Sequence, residues 1–358
     1  MESFETLPEQ EEAKGLLTAA LAESPAHAYL FHGPPGSGKR RAALLFAAAI
    51  LGDRDRVLRR AHPDLYVLEP LGDQIRIDPI RELRRDLHMR PFEADRRVYV
   101  VAGAHLMNED AADALLKDLE EPPSYAVVVL VADELGPLPE TIRSRCQHVR
   151  FRRLSQRAVK AHLAARGLEG ERLEVAARVA GGRLDRAQRL LDDDAAAARR
   201  TVLDLARAAY LEPYFDITAA ADAVETLARK RGAKARAATE ASALEGENPR
   251  DVEQRAKRAQ RGAERDEVLE AVMTLESWYR DLVVAAAGAP EAVLNRDCLA
   301  ELESDADSER GQAAERAAET ARDVWRSFEF NVQVGLALEA LFIRLRRQLR
   351  TAGPAAVS

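Results

Sequence analysis

Cysteine occurs only twice in the 358 residues, at Cys146 and Cys298. Two distant thiols are too few for a disulfide framework or a four-cysteine zinc site, so a reducing, cytoplasmic setting without zinc is expected. Aromatic side chains are scarce, at 5% of the chain. Alanine is abundant instead, which favours helices over extensive sheet. Long apolar runs are missing as well: Ala42 to Leu51, the longest, is too short to cross a bilayer. The acidic start, Met1-Glu2-Ser3-Phe4-Glu5, has no secretion-signal core, and no membrane partner is expected. There is no surplus of positive charge either. Against 53 Lys and Arg stand 60 Asp and Glu, a net charge of −7, which argues against a chain that coats nucleic acid and leaves room for local basic surfaces.

A hydrophobic content of 47% is ample for two or three domains at this length. The chain is organised around Tyr29-Leu30-Phe31-His32-Gly33-Pro34-Pro35-Gly36-Ser37-Gly38-Lys39-Arg40. An apolar run enters a Gly-rich turn, and a stretch of helix formers, Arg41 to Ile50, leaves it. That is the strand–loop–helix setting of a phosphate-binding P-loop. Gly33, Pro34, Pro35, Gly36, Ser37, Gly38, Lys39 and Arg40 are therefore candidate phosphate-loop residues, with Lys39 placed to reach terminal phosphates. Arg40 departs from the pattern, because the motif has Ser or Thr there as a Mg²⁺ ligand and a guanidinium has no acceptor. The loop is poorly made to hold Mg²⁺. It retains the parts to bind ATP or ADP without hydrolysis.

Strands are expected at Leu65–Pro70, Arg97–Val101, Ala126–Val131 and Gln147–Phe151, alternating with helices. A first helix is expected over residues 5–22, and one beginning at Asp78 as N-cap with Pro79 in first place. Gly52–Ala61 reads as a connector. This alternation after a P-loop predicts a three-layer α/β domain with a parallel sheet over residues 1–153, with ligands at the carboxyl ends of the strands. A small helical module follows over 154–195, then helices over 196–350 and a tail at 351–358. From Arg229 to Arg265 the chain carries eleven Lys and Arg against six Asp and Glu. The stretch near 227–266 reads as a charged helical insertion, a solvated helix pair or loop; a DNA-facing basic strip is the competing reading.

A P-loop ATPase needs a second strand, ending next to the loop, that carries a metal-holding Asp and a base. The matching strand, Val98–Val101, runs into Ala102 and Gly103, neither of which binds metal or a proton. Arg40, Ala102 and Gly103 together argue against phosphoryl transfer. His105 lies two residues on and could be proposed as a substitute base, but no carboxylate lies nearby to seat a metal, so a structural or surface histidine is expected. Arg145, beside Ser144 and before the last strand, is badly placed for its own loop. It could reach a nucleotide on an adjacent subunit as an arginine finger; pairing with a local carboxylate is the alternative.

Asp113-Ala114-Leu115-Leu116-Lys117-Asp118-Leu119-Glu120-Glu121-Pro122-Pro123, Ser144-Arg145-Cys146, His62-Pro63-Asp64, Ile77-Asp78-Pro79-Ile80-Arg81 and Phe330–Leu341 resemble the clamp-loader branch of the AAA+ ATPases, within it the delta-prime subunits of bacterial DNA polymerase III. The resemblance runs from about residue 4 to about 348. It implies an AAA+ core, a helical lid and an all-α collar that packs with gamma/tau and delta subunits in a ring. It further implies a non-hydrolysing member that helps load the sliding (beta) clamp onto primer–template DNA. By the same resemblance Arg145 completes a neighbouring gamma/tau ATP site. The family's four-cysteine zinc module is missing here. The lid's nucleotide-sensing arginine falls near Asp185, with Arg186 adjacent. Two readings compete with this one: an autonomous AAA+ ATPase such as a helicase loader, and a nucleotide sensor that binds without hydrolysis.

Overall fold

Val98-Tyr99-Val100-Val101 and Val127-Val128-Val129-Leu130-Val131 are apolar at every position, as strands covered on both faces must be. A computed structural model of the chain, which describes residues 4–70, 74–242, 248–327 and 333–350, places both in the middle of a parallel sheet. The strands are β1 (Ala28–His32), β2 (Leu65–Leu68), β3 (Arg97–Ala102), β4 (Ala126–Ala132) and β5 (Gln147–Arg150), in the order β2-β3-β4-β1-β5. Every pairing is parallel. The expected α/β core with a parallel sheet, followed by a helical region, is the observed fold class.

Alternation along the strands sends side chains to two separate cores. Tyr29, Phe31, Val98, Val100, Val127 and Val129 pack with Phe46 of α2 (Lys39–Leu51) and Leu17 of α1 (Glu11–Glu23). Leu30, Tyr99, Val101, Val128 and Leu130 pack on the other side with Leu83 of α4 (Ile77–Leu87) and Leu115 of α5 (Glu109–Glu120). Each of these aliphatic side chains contributes about 1.5–3 kcal/mol on burial.

The chain divides into two compact units. The first holds the residues up to Leu168 together with Ala180–Ala187; the second holds Glu169–Val179 and the chain from Gln188 onward. Completing the first are α3 (Arg54–Leu58), α6 (Glu140–Arg143) and α7 (Gln156–Ala164). α8 (Gly170–Val179) lies in the second, and α9 (Leu184–Arg189) begins in the first. The rest of the second unit is helical: α10 (Asp193–Leu211), α11 (Ile217–Ala241), α12 (Pro249–Ala286), α13 (Leu299–Asp305), α14 (Ser308–Ser327) and α15 (Val334–Arg350). Its core gathers around Trp278 and Tyr279 of α12 with Leu338, Leu341 and Phe342 of α15.

The charged stretch near 227–266 lies on α11 and α12 apart from residues 243–247, which fall outside the described residues. These helices meet through small residues: a Cβ on Gly232 would stand 2.5 Å from Glu264 Cγ. Lys230 and Lys234 pair with Asp194 at 2.9 and 3.1 Å, so part of the basic strip is neutralised locally. The start of the Phe330–Leu341 stretch and the tail at 351–358 also lie outside the described residues.

Three boundaries differ from the sequence expectation. α1 begins at Glu11, not near residue 5, because Glu9 and Gln10 take left-handed backbone angles of φ 53° and 66°. The Gly52–Ala61 connector contains α3, capped by Asp53, which accepts the Arg56 N–H at 3.0 Å. α4 starts at Ile77 with Arg76 as N-cap. Backbone bonds of Ile75 with Leu106 and Asn108 hold the chain extended to that point. Asp78 therefore sits inside the first turn and pairs with Arg81 at 3.3 Å.

The His62-Pro63-Asp64 motif has a structural explanation. Asp64 is fully buried and accepts the N–H groups of Phe92, Glu93 and Ala94 at 2.6, 3.0 and 2.9 Å. Burial pushes its pKa up, but these three donors and the nearby Arg97 outweigh it and hold the carboxyl below its ordinary value. A carboxylate depressed in the folded state stabilises above its unfolded pKa of about 4 and loses that contribution as pH falls through the folded value. Asp64→Asn should therefore cost about 2 kcal/mol at pH 7, and the gap from the parent should narrow as urea denaturation is repeated below about pH 4. A gap that stays constant with pH would show that the ionised carboxylate is not what the turn requires.

Candidate nucleotide loop and arginine turn

The Gly-rich loop leaves β1 at His32 and enters α2 at Lys39. Two of its glycines are dictated by close approach. A Cβ on Gly33 (φ +142°) would stand 2.1 Å from the Phe151 carbonyl oxygen. A Cβ on Gly36 (φ +68°) would stand 2.1 Å from Asp185 Oδ1 and 2.8 Å from Arg183 Cα. Pro34 and Pro35 are half-buried between them, Ser37 is buried, and Gly38 is the N-cap of α2. Arg40 points to solvent with no acceptor to offer a metal.

Lys39 is buried, and its ammonium turns back into the loop. Nζ donates to the carbonyls of Gly33 and Pro34 at 2.7 and 2.6 Å, lies 3.3 Å from Ser37 Oγ, and pairs with Asp133 Oδ1 at 2.9 Å. Burial lowers the Lys39 pKa, and the Asp133 carboxylate partly restores it. Asp133 follows β4, and the sheet order explains why it is there. The expectation that Val98–Val101 ends beside the loop is corrected: β4 lies between β1 and β3, so Ala102 and Gly103 end one strand farther away.

The fold also brings to His105 the carboxylate-bearing residue that the sequence places far from it. The Asp133 N–H donates to His105 Nδ1 at 3.1 Å. Burial leads the effects that lower the His105 pKa, so the ring is neutral at pH 7 and Nδ1 acts as an acceptor. This is the structural role expected of it.

The segment before α1 supports the loop from another side. Gln10 Nε2 donates to Ser37 O at 3.2 Å and to Arg152 O at 2.7 Å, while its Oε1 accepts the Arg152 N–H at 2.9 Å. Facing Gly36 is the start of α9. The Leu184 N–H donates to Gly36 O at 3.0 Å. Asp185, at the position expected for a sensing arginine, is held by Arg183 at 2.8 and 3.3 Å. Burial pushes the Asp185 carboxyl up, but the hydrogen bond and charge of Arg183 outweigh it, and the group stays below its ordinary value. Sequence reading missed Gln10 and Asp133. The signal for Asp133 was its place at the carboxyl end of a fully buried strand, where ligands of α/β sheets sit.

Arg145 and Ser144 lie in the turn between α6 and β5. Ser144 Oγ donates to Thr141 O at 3.2 Å and Arg145 Nη1 to the same oxygen at 2.8 Å. Arg145 also pairs with Glu120 at the end of α5, so α5 and the arginine turn are tied together. Cys146 anchors the turn in the core, where burial pushes its thiol up to about 12. Cys298, in the other unit, is likewise buried, its thiol pushed up to about 11, chiefly by burial.

The family model described as "DNA polymerase III, delta subunit" matches residues 9–155. DNA polymerase III subunit tau of Bacillus subtilis is 32% identical over 209 residues, which are 53% of this chain and 37% of that protein. DNA polymerase III subunit delta' of the same organism is 30% identical over 191 residues, 50% of this chain and 58% of that protein. The chain thus spans less than two thirds of either relative. A solved structure of a DNA polymerase III gamma subunit-related protein from Thermotoga maritima aligns with 96% of this chain and 100% of its own, at 19% identity and a TM-score of 0.43. The matched residues contain the Gly-rich loop, the Leu-Leu-Lys-Asp-Leu-Glu-Glu-Pro-Pro helix and the Ser144-Arg145-Cys146 turn, and it is over this part that the chain is similar to the clamp-loader subunits of DNA polymerase III.

Proposed function

We propose that this chain is the non-hydrolysing, delta-prime-type member of a clamp loader and that it supplies Arg145 in trans to the ATP site of a neighbouring gamma/tau subunit. The observation that carries the reading is Arg40, which gives the loop no metal ligand; Ala102 and Gly103, at the end of β3 one strand farther away, offer neither a metal ligand nor a general base. Asp133 does not replace them, since its carboxylate is engaged by Lys39. The arginine turn supports the other half of the proposal. Arg145 is about one-third exposed and fixed by Thr141 and Glu120, and a fixed guanidinium loses little entropy on meeting a phosphate.

In this reading residues 1–153 are the AAA+ core, 154–195 the lid and 196–350 the collar. The partners are gamma/tau and delta subunits, the sliding clamp and primer–template DNA met through the assembly, in the cytoplasm. Among the described residues no helix is long and apolar enough to cross a membrane.

Two measurements test the proposal. The purified chain with ATP and Mg²⁺ should show no turnover, and turnover abolished by Lys39→Ala would establish an autonomous ATPase instead. Arg145→Ala should leave the chain folded and able to assemble. In the assembled loader with clamp and primed DNA, hydrolysis at the adjoining site should fall on the order of 10³-fold. Unchanged activity of the assembly would remove the finger assignment.

A further inference from the structure

We infer that the outer face of α12 is a contact surface for duplex DNA, on which Arg250, Arg258, Arg261 and Arg265 hold the phosphate backbone without reading its sequence. The inference goes beyond the clamp-loader reading, in which DNA is met through the assembly. It stands whether or not Arg145 acts in trans.

The first argument is the sorting of charge around the helix. At about 100° per residue, Arg250, Gln254, Lys257, Arg258, Arg261 and Arg265 fall within one arc of about 100°. Between Arg250 and Arg265 no acidic residue falls in that arc, and the stripe is about 22 Å long. Ala256, on the far side of the helix, is buried. Arg250, Lys257, Arg258 and Arg261 are exposed, and Arg265 is half-buried. Acids of α11 and α12 are engaged elsewhere: Glu240 pairs with Arg236 at 2.8 Å, Glu253 with Lys257 at 2.7 Å, and Glu264 accepts from Gln260 at 2.8 Å.

The second argument is the lack of local compensation. On α11, Lys230 and Lys234 are matched to Asp194 and Asp192. On α12, Arg258 and Arg261 form no ion pair among the described residues, and Arg265 Nε is buried without a partner. Like charges three and four residues apart, as Arg258 with Arg261 and Arg261 with Arg265, repel one another and destabilise a helix. Large apolar contacts do not offset this, since the buried positions alongside the stripe are the small residues Ala228, Gly232 and Ala256. An anion laid along the stripe removes the repulsion, and the described residues do not supply one.

The third argument is chemistry. The planar fork of a guanidinium matches two oxygens of a phosphate at once. With 3.4 Å between successive charges of one DNA strand along the axis, the stripe runs beside about six phosphates. It carries no aromatic side chain on which an unpaired base could stack, which favours duplex over single strand. The net charge of −7 does not cancel the effect, because carboxylates more than about 10 Å away are largely screened at 0.1 M salt.

The test uses the full chain and a fluorescein-labelled duplex of about 20 base pairs and arbitrary sequence, followed by anisotropy from about 50 to about 200 mM NaCl. The wild type should bind saturably below about 100 µM chain at the lower salt. With one phosphate neutralised by each of the four arginines, affinity should fall about 10²-fold across that range. Arg258→Ala/Arg261→Ala should weaken binding at least about tenfold at the lower salt and roughly halve the slope of log affinity against log salt. Arg258→Gln/Arg261→Gln should do the same, glutamine like alanine being a good helix former. Lys230→Ala/Lys234→Ala removes the same charge from the paired lysines of α11 and should bind as the wild type does. No saturable binding by the wild type would overturn the inference. So would an arginine variant that binds undiminished, or a lysine variant that loses as much. Displacement of the duplex by oligoglutamate of equal charge at equal concentration would assign the stripe to an acidic protein segment and overturn it too. Tighter binding of the unpaired strand would overturn the choice of duplex. None of these outcomes touches the turnover of the isolated chain or the Arg145 dependence of the assembly, so the two proposals fail separately.

Discussion

A buried ammonium must be paired, and the first unit is arranged so that Lys39 is. Its charge sits at the N-terminus of α2, where the helix's own partial positive charge makes it still less welcome. The neutralising group has to come from outside the loop. The sheet provides it by placing β4 beside β1, so that Asp133 emerges at the carboxyl end of one strand as Lys39 follows the other. The same carboxyl-terminal edge accounts for His105, whose neutral ring receives the Asp133 backbone N–H. Strand order, loop conformation and the protonation of two side chains are thus one problem with one solution.

Buried carboxylates elsewhere show how narrow that balance is. Asp64 and Asp281 are both fully enclosed, and both cap a turn through backbone N–H groups. For Asp64 the donors and a nearby arginine outweigh burial. For Asp281 burial prevails and the pKa rises, despite bonds from Leu294 N at 3.0 Å, Asn295 N at 2.7 Å and Asn295 Nδ2 at 2.8 Å. Both residues hold a polypeptide turn, but only Asp64 is tuned to favour the ion. Their motifs look alike in sequence, a lone acid near apolar residues, and the difference appears only when every donor is in place.

Features with a local cause were legible in the sequence. The valine-rich runs announced strands covered on both faces, the glycine spacing announced the loop, and the apolar spacing of Ala111, Leu115 and Leu119 announced α5. What was not legible depends on pairs far apart in the chain. Nothing near Lys39 indicates Asp133, and nothing near Gly36 indicates Asp185. Gln10 is a glutamine in a left-handed conformation that residues of its type seldom adopt. Its side-chain bonds to Ser37 and Arg152 hold it there, and no local rule of helix initiation would place the start of α1 one residue later. The early start expected for α1 and the late start expected for α4 share this origin: tertiary hydrogen bonds outweighed local propensity.

The burial of Cys146 has a chemical consequence of its own. With its thiol at about 12, the reactive thiolate is about 10⁻⁵ of the total at neutral pH. Cys298, at about 11, is nearly as inert. Oxidants and alkylating reagents that act through the thiolate therefore have almost nothing to attack in the native chain, and the turn that carries Arg145 is insulated from redox chemistry although a cysteine lies next to it. A single cysteine introduced on an exposed helix could then carry a spectroscopic label with both native thiols left in place.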